Sequence, residues 1–312
     1  MEEEIRDILA NYYRISDIHK IHNLSDGFAN LNYKIETDSA SFVYRICLQR
    51  SNVEELKYEV GLSKALENVN FSIARLFANT KGEYITYSPA GMVMLSEFVE
   101  GNQPELKHST IKEIAISLAE LNLFEDWELF ERKNIIHIDY CPQIIEEFKT
   151  ASQQFPEIYS YFEEQTKFLE EPLKIDLPKG LIHGDVFPDN TIYKNDKLIA
   201  VIDFEEACVD HLLMEVGMTI NGFCFRNNDL DEDLAFCFLK HYHQVRPLND
   251  LEWELLPYYI QWAAHGMLSW HLRCQLMYKN EKRQYERVVE LMNRVKILRK
   301  KTSFNFKNKI VS

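Results

Sequence analysis

Three oxygen-bearing side chains set the chemistry open to this chain. Asp185, Asn190 five positions on, and Asp203 thirteen further lie in the stretch Leu181–Phe204, LIHGDVFPDNTIYKNDKLIAVIDF. Phosphoryl transfer from a magnesium nucleotide needs a carboxylate to accept the proton of an attacking hydroxyl. It also needs oxygen donors that hold metal against phosphates. Asp185 is therefore the candidate catalytic base, and Asn190 and Asp203 the candidate Mg2+ ligands, with ATP and Mg2+ as the expected cofactors. Any one of these residue types alone is ordinary loop chemistry. What singles out the stretch is the coincidence of a His-Gly-Asp, a spaced Asn and an apolar run ending in Ile-Asp-Phe. His183 reads as a packed scaffold residue that orients the loop by hydrogen bonding.

Such groups act only if local structure brings them together. Leu181 and Ile182 form an apolar run that ends at His183-Gly184, and Pro188 fixes one backbone angle in the turn that follows. Thr191–Tyr193 and Leu198–Ile202 are β-prone, and Asn195-Asp196 between them predicts a hairpin turn. That hairpin would return Asp203 toward Asn190. The Asp185–Asn190 interval has the D-x-x-x-x-N spacing of a kinase catalytic loop.

The HGDVFPDN and IDF segments resemble the HGDxxxxN and IDF motifs of the aminoglycoside phosphotransferase and choline kinase superfamily. HGDVFPDN followed by IDFEEACVDHLLMEVGMTINGF is most similar to the bacterial homoserine kinases of that fold. The resemblance implies an α+β, two-lobe protein-kinase-like fold. Residues 1–98 would form a small mixed sheet-and-helix nucleotide-binding lobe, and residues 99–312 a larger, mainly helical lobe for catalysis and acceptor binding. It also implies Asp185 as base and Asn190 and Asp203 as magnesium ligands.

Residues 30–37 and 41–48 read as a β-hairpin, and the spacing of Val53, Leu56, Val60, Ala65 and Leu66 predicts a helix over 53–68. Before the hairpin, Ser25–Asn30 occupies the position of a phosphate-covering loop with Gly27 as its one glycine, and Asn30-Leu31-Asn32-Tyr33 resembles the N-x-N-Y of homoserine kinases. Arg45, within a strand, and Glu59, on the helix, are placed as counterparts of the strand-lysine and helix-glutamate pair that holds nucleotide phosphates in kinases. The alternative is an outward-facing Arg and a solvated Glu. Strands are expected near 74–78, 83–87 and 92–98. MVMLSEFVEG resembles the inter-lobe hinge, where adenine would bind main-chain groups near Glu97 to Val99.

Helices are predicted over 109–124, 142–153, 156–170, 212–224, 231–245 and 252–278. Asn122 stands where many family members carry a histidine. Glu215 is placed as a brace for the catalytic loop. Glu205 and Glu206 depart from the homoserine kinase pattern; they would suit an amine-bearing acceptor or face solvent. By resemblance, Arg273 would take an acceptor carboxylate and Asn221 would reach the acceptor pocket. Trp262 and Trp270 read as core or pocket wall.

Composition limits the alternatives. The 312 residues are 46% hydrophobic and 27% charged, with a formal charge of −14. That charge disfavours a general nucleic-acid binder, which needs a basic face. No apolar run is long enough to span a bilayer, and the acidic start MEEEIRDIL lacks a secretory core. A cytoplasmic protein with no membrane partner is expected, its six scattered cysteines reduced and mostly buried. The basic stretch Lys296–Lys309 reads as the end of a helix. The function expected is ATP-dependent phosphorylation of a hydroxyl on a small metabolite, homoserine or a similar amino alcohol. The alternatives are a choline or ethanolamine kinase, an aminoglycoside phosphotransferase, or a non-catalytic pseudokinase. Without an activation segment or A-P-E stretch after Asp203, a protein kinase is disfavoured.

Overall fold

The computed structural model describes residues 1–26, 30–48, 52–149, 154–278, 282–300 and 306–311. The chain forms two compact units. One comprises Met1–Gln103 and Thr191–Glu205, and the other Pro104–Asn190 and Glu206–Ser312. The expected division at residue 98 differs from this in two ways: the boundary falls at Gln103, and a hairpin from the second half joins the first unit.

The first unit is built on a six-stranded antiparallel sheet. After helix α1 (Glu2–Ile8) come β1 (Ile18–Asp26), β2 (Asn30–Thr37) and β3 (Ser41–Cys47), then α2 (Val53–Asn68), β4 (Leu76–Phe77), β5 (Thr86–Ser88) and β6 (Gly91–Glu97). The strand order is β1-β2-β3-β6-β4, with β5 on β6. Alternation along the strands separates two cores. Tyr44, Ile46, Val93 and Leu95 pack with Ile5 and Leu9, whereas Cys47, Met92 and Met94 pack with Leu56 of α2. Arg45 lies between Tyr44 and Ile46, so it shares the α2-facing side with Cys47. Asn52 caps α2 by accepting the Glu54 N–H at 3.0 Å. The strand expected at 83–87 begins only at Thr86, because the Asn79 side chain accepts the N–H groups of Lys81 and Glu83 and holds that stretch as a turn.

The second unit is mainly helical. Helices α3 (His108–Asn122), α4 (Cys141–Lys149) and α5 (Pro156–Leu173) precede β7 (Lys179–Ile182). The chain then contributes the hairpin of β8 (Thr191–Lys194) and β9 (Lys197–Val201) to the first unit. Its turn residues Asn195 and Asp196 have φ of 51° and 64°, the left-handed pair of a two-residue hairpin turn. The hairpin is tied to its unit by Asn102 and Tyr193, which exchange backbone hydrogen bonds of 2.9 and 2.8 Å, and by the Val201 N–H on Ser72 O at 2.9 Å. Gly101 permits the approach: a Cβ there would lie 2.5 Å from the Ile192 side chain. Back in the second unit, β10 (Cys208–His211) pairs antiparallel with β7.

Helices α6 (Leu212–Phe223), α7 (Glu232–Val245), α8 (Asp250–Tyr278), α9 (Lys282–Lys300) and the short α10 (Phe306–Ile310) follow. α6 is mostly apolar and buried on every side, its polar Glu215, Thr219 and Asn221 included. α9 packs on α8 and buries Val288, Leu291, Val295 and Leu298, so of the basic stretch Lys296–Lys309 the residues to Lys300 belong to a helix end, whereas Lys307 and Lys309 lie on α10. Cys47, Cys141, Cys208, Cys224 and Cys237 are free and buried. Among the described residues, no helix is long and apolar enough to cross a membrane.

Candidate active site

In the second unit, β7 delivers the loop that carries Asp185. Gly184 takes φ 79°, and a Cβ on it would come within 2.8 Å of Glu206 O, so only glycine fits this bend. His183 is fully buried, and its Nδ1 accepts the Asp185 N–H at 3.3 Å. Asn190 closes the loop: its Nδ2 donates to Asp185 O at 2.8 Å and to Asp185 Oδ2 at 3.0 Å. The amide nitrogen is thereby engaged, which leaves the oxygen as the end suited to a hard cation.

Two buried braces hold this loop. The Glu215 carboxylate, on α6, accepts the backbone N–H groups of His183 and Gly184. Burial pushes its pKa up to about 7, and the two N–H groups oppose the shift without cancelling it. Asn122 is the other brace. Its Nδ2 donates to Leu181 O at 3.0 Å and its Oδ1 accepts the Tyr242 hydroxyl at 2.6 Å, so α3 and α7 are pinned to the strand that leads into the loop. Sequence reasoning noted Asn122 as a departure from the family pattern but had no signal for its partners, one of which is a backbone carbonyl.

In the first unit, Asp203 follows β9 with φ 65°. A left-handed aspartate costs about 1–2 kcal/mol and persists where its surroundings over-determine it. Its carboxylate lies 3.7 Å from Arg45 Nη1. Arg45 Nη2 donates to Glu59 Oε2 at 2.5 Å and lies 3.2 Å from Met94 Sδ. Glu59 comes one helical turn after Leu56, on the buried face of α2, and is 6% exposed. Burial disfavours the charged guanidinium, but Glu59, joined by Asp203, outweighs it and raises the Arg45 pKa well above its ordinary value. The structure thus gives the paired arrangement, not the outward-facing Arg and solvated Glu.

The remaining expected residues fall differently. Gly27 lies outside the described residues. Glu97 ends β6 with its N–H donated to Arg75 O at 2.9 Å, and Val99 stands two residues beyond, half-buried. One Nη of Arg273 donates to Ile135 O and the guanidinium lies over the Tyr140 ring, while its buried Nε has no hydrogen-bond partner among the described residues. Asn221 is 2% exposed, and its Nδ2 donates to Gly217 O at 2.9 Å and Ile260 O at 2.8 Å, tying α6 to α8. Its Oδ1 faces Arg294 Nη1 at 3.4 Å. With its amide so committed, Asn221 pins helices, and the expected acceptor contact is corrected on that ground. Trp262 is core, 3% exposed.

Comparison with known proteins fixes the family. Residues 20–248 match the model of the phosphotransferase enzyme family. This chain belongs to it. A homoserine kinase of Brucella anthropi is 30% identical over 258 residues, covering 81% of this chain and 78% of its own. The structure resembles a microcompartment-associated aminopropanol kinase with a TM-score of 0.75 at 17% identity, over 96% of this chain and 97% of that one. An amicoumacin kinase in complex with AMP-PNP and Ca2+ gives a TM-score of 0.71 at 14% identity, over 93% and 91%. Within this phosphotransferase family, the fold is the two-lobe, kinase-like α+β arrangement expected from the sequence.

Proposed function

We propose that this small-molecule kinase transfers the γ-phosphoryl group of ATP to the hydroxyl of homoserine or a closely similar amino alcohol. The observation that supports this most is the Asp185–Asn190 loop, braced by His183 and Glu215, in a chain 30% identical to a homoserine kinase over four-fifths of its length. In this reading Asp185 aligns the acceptor hydroxyl and receives its proton. Asn190 and Asp203 are the residues that would hold Mg2+; their oxygen donors fit a hard cation that keeps most of its remaining positions for phosphates and water. When bound, the ion neutralises charge on the phosphates.

Arg45, kept charged and oriented by Glu59, would meet the phosphates. Adenine would lie against main-chain groups near Glu97 to Val99. Arg273 would take the acceptor carboxylate through its Nε and the guanidinium N–H groups that Ile135 O does not hold. Positioning and charge neutralisation supply most of the rate in such a site.

The test is an acceptor panel with radiolabelled ATP and Mg2+: homoserine, 1-amino-2-propanol, ethanolamine, choline and an aminoglycoside. Homoserine should be turned over with the highest kcat/KM, and Arg273→Met should raise its KM far more than that of ethanolamine. Inert homoserine beside an active carboxylate-free amino alcohol would overturn the acceptor assignment.

A further inference from the structure

We infer that Glu205 is a positioning residue: by accepting the Asn30 amide, it clamps the segment that carries Asp203 onto the head of β2. This rests on the reading of Asp203 as a nucleotide-metal residue. The contact joins residues 175 positions apart, Asn30 Nδ2 to Glu205 Oε2 at 3.0 Å. Asn30 is the first residue of β2, 7% exposed, so its amide requires an acceptor within the fold. Asp203, two residues before Glu205, has the left-handed backbone described above and would relax if its flanks were loose. Both flanks are anchored. Upstream, the Val201 N–H is held on Ser72 O. Downstream, Phe204 is buried edge-on to Phe71 with ring centroids 6.2 Å apart, and Glu205 follows on Asn30.

The surroundings argue that the hydrogen bond, rather than the charge of Glu205, is what the site uses. Asn30 is opposite Cys47 in the β2–β3 register, and burial raises the Cys47 thiol pKa, with Arg45 opposing and Glu59 and Glu205 adding to the rise. Glu205 therefore bears on the Cys47 thiol, on the same strand face as Arg45, which already has Glu59 and Asp203 as partners. A third carboxylate there adds little to the balance of charge, whereas an oxygen that receives the Asn30 N–H fixes the backbone after Asp203. A glutamine keeps that oxygen and loses the charge, so it separates the two roles.

The experiment is a cycle of Asn30→Ala, Glu205→Ala and the double variant, with Glu205→Gln alongside. Mg-ATP dissociation constants come from calorimetry, KM and kcat for each substrate from steady-state assay, and melting temperatures are measured without nucleotide. Each alanine variant should weaken Mg-ATP about tenfold, and the double variant no further than either single. Glu205→Gln should stay within about threefold of the parent, and the KM of the acceptor should hold in all four proteins. A glutamine as damaging as alanine with Asn30→Ala silent, or additive single effects, would overturn the inference. So would coupled melting shifts with unchanged nucleotide affinity in a protein that binds nucleotide. A parent protein that fails to bind Mg-ATP while the melting shifts remain coupled would instead remove the underlying reading of Asp203 and leave the contact standing.

Discussion

Replacing Glu215 by glutamine should change how stability depends on pH, and in a direction opposite to the usual carboxylate. Glu215 is fully buried, and its half-titration moves from an ordinary 4.5 to about 7. A folded-state pKa raised above the unfolded value contributes stability that is complete below 4.5 and is lost as pH rises through about 7. At 1.36 kcal/mol per tenfold change, the ionised carboxylate costs the fold about 3 kcal/mol above neutral pH. Glutamine does not titrate and retains one oxygen for the His183 and Gly184 N–H groups. Urea unfolding followed by tryptophan fluorescence at pH 5, 6, 7 and 8 gives the comparison. The parent should lose about 3 kcal/mol relative to Glu215→Gln across that window, nearly all between pH 5 and 7.5. Every other titrating group is common to both proteins and cancels in the difference. Parallel profiles would show that Glu215 ionises near its ordinary value, and the argument from burial would fail.

Other perturbations test separate parts of the structure. His265 is fully buried in α8 with Thr166 Oγ1 at 2.9 Å from its Nε2, and burial pulls its pKa down to about 3. A lowered imidazole pKa contributes stability present above pH 6.5 and lost as pH falls toward 3, so acid unfolding of the parent should be steeper than that of His265→Gln by roughly 4–5 kcal/mol over that range; equal steepness would refute it. Arg45→Met leaves Glu59 buried without its cation and should cost about 3–5 kcal/mol, most of which Arg45→Met with Glu59→Leu should restore. A double variant no more stable than the single, in thermal melts, would contradict the pairing. Gly184→Ala adds a Cβ at φ 79° against Glu206 O and should destabilise by about 2 kcal/mol and slow turnover; an unchanged melting temperature would contradict the steric argument.

Much of this was legible in the sequence because its signals are local. Helix α2 and strand β2 fall on the expected residues 53–68 and 30–37, since their apolar spacing is unbroken and Asn52 marks the helix start. The Asn195-Asp196 turn was readable because few residue types accept two successive left-handed angles. Strand β1 was not anticipated: Ile18 and Ile21 are separated by His19 and Lys20, and an edge strand needs little apolar alternation. The long-range polar contacts were illegible for a different reason. Asn221, Asn122 and Arg273 all find backbone carbonyls, which leave no trace in residue identity. An asparagine in an apolar helix looks alike whether it reaches a ligand or a neighbouring helix, and burial decided for the helix. Glu205 was visible as a departure from the family pattern, but its partner 175 positions away was not.

In the proposed reaction Asp185 takes the proton of the acceptor hydroxyl from a loop whose shape does not depend on its charge. Asp185→Asn measures this directly, because an asparagine preserves the size of the side chain and still offers an oxygen to the Asn190 amide. Turnover of homoserine should fall by about a thousandfold or more while the Mg-ATP dissociation constant from calorimetry stays within about threefold of the parent. Turnover close to that of the parent would show that the proton leaves by another route and would remove Asp185 from the chemistry.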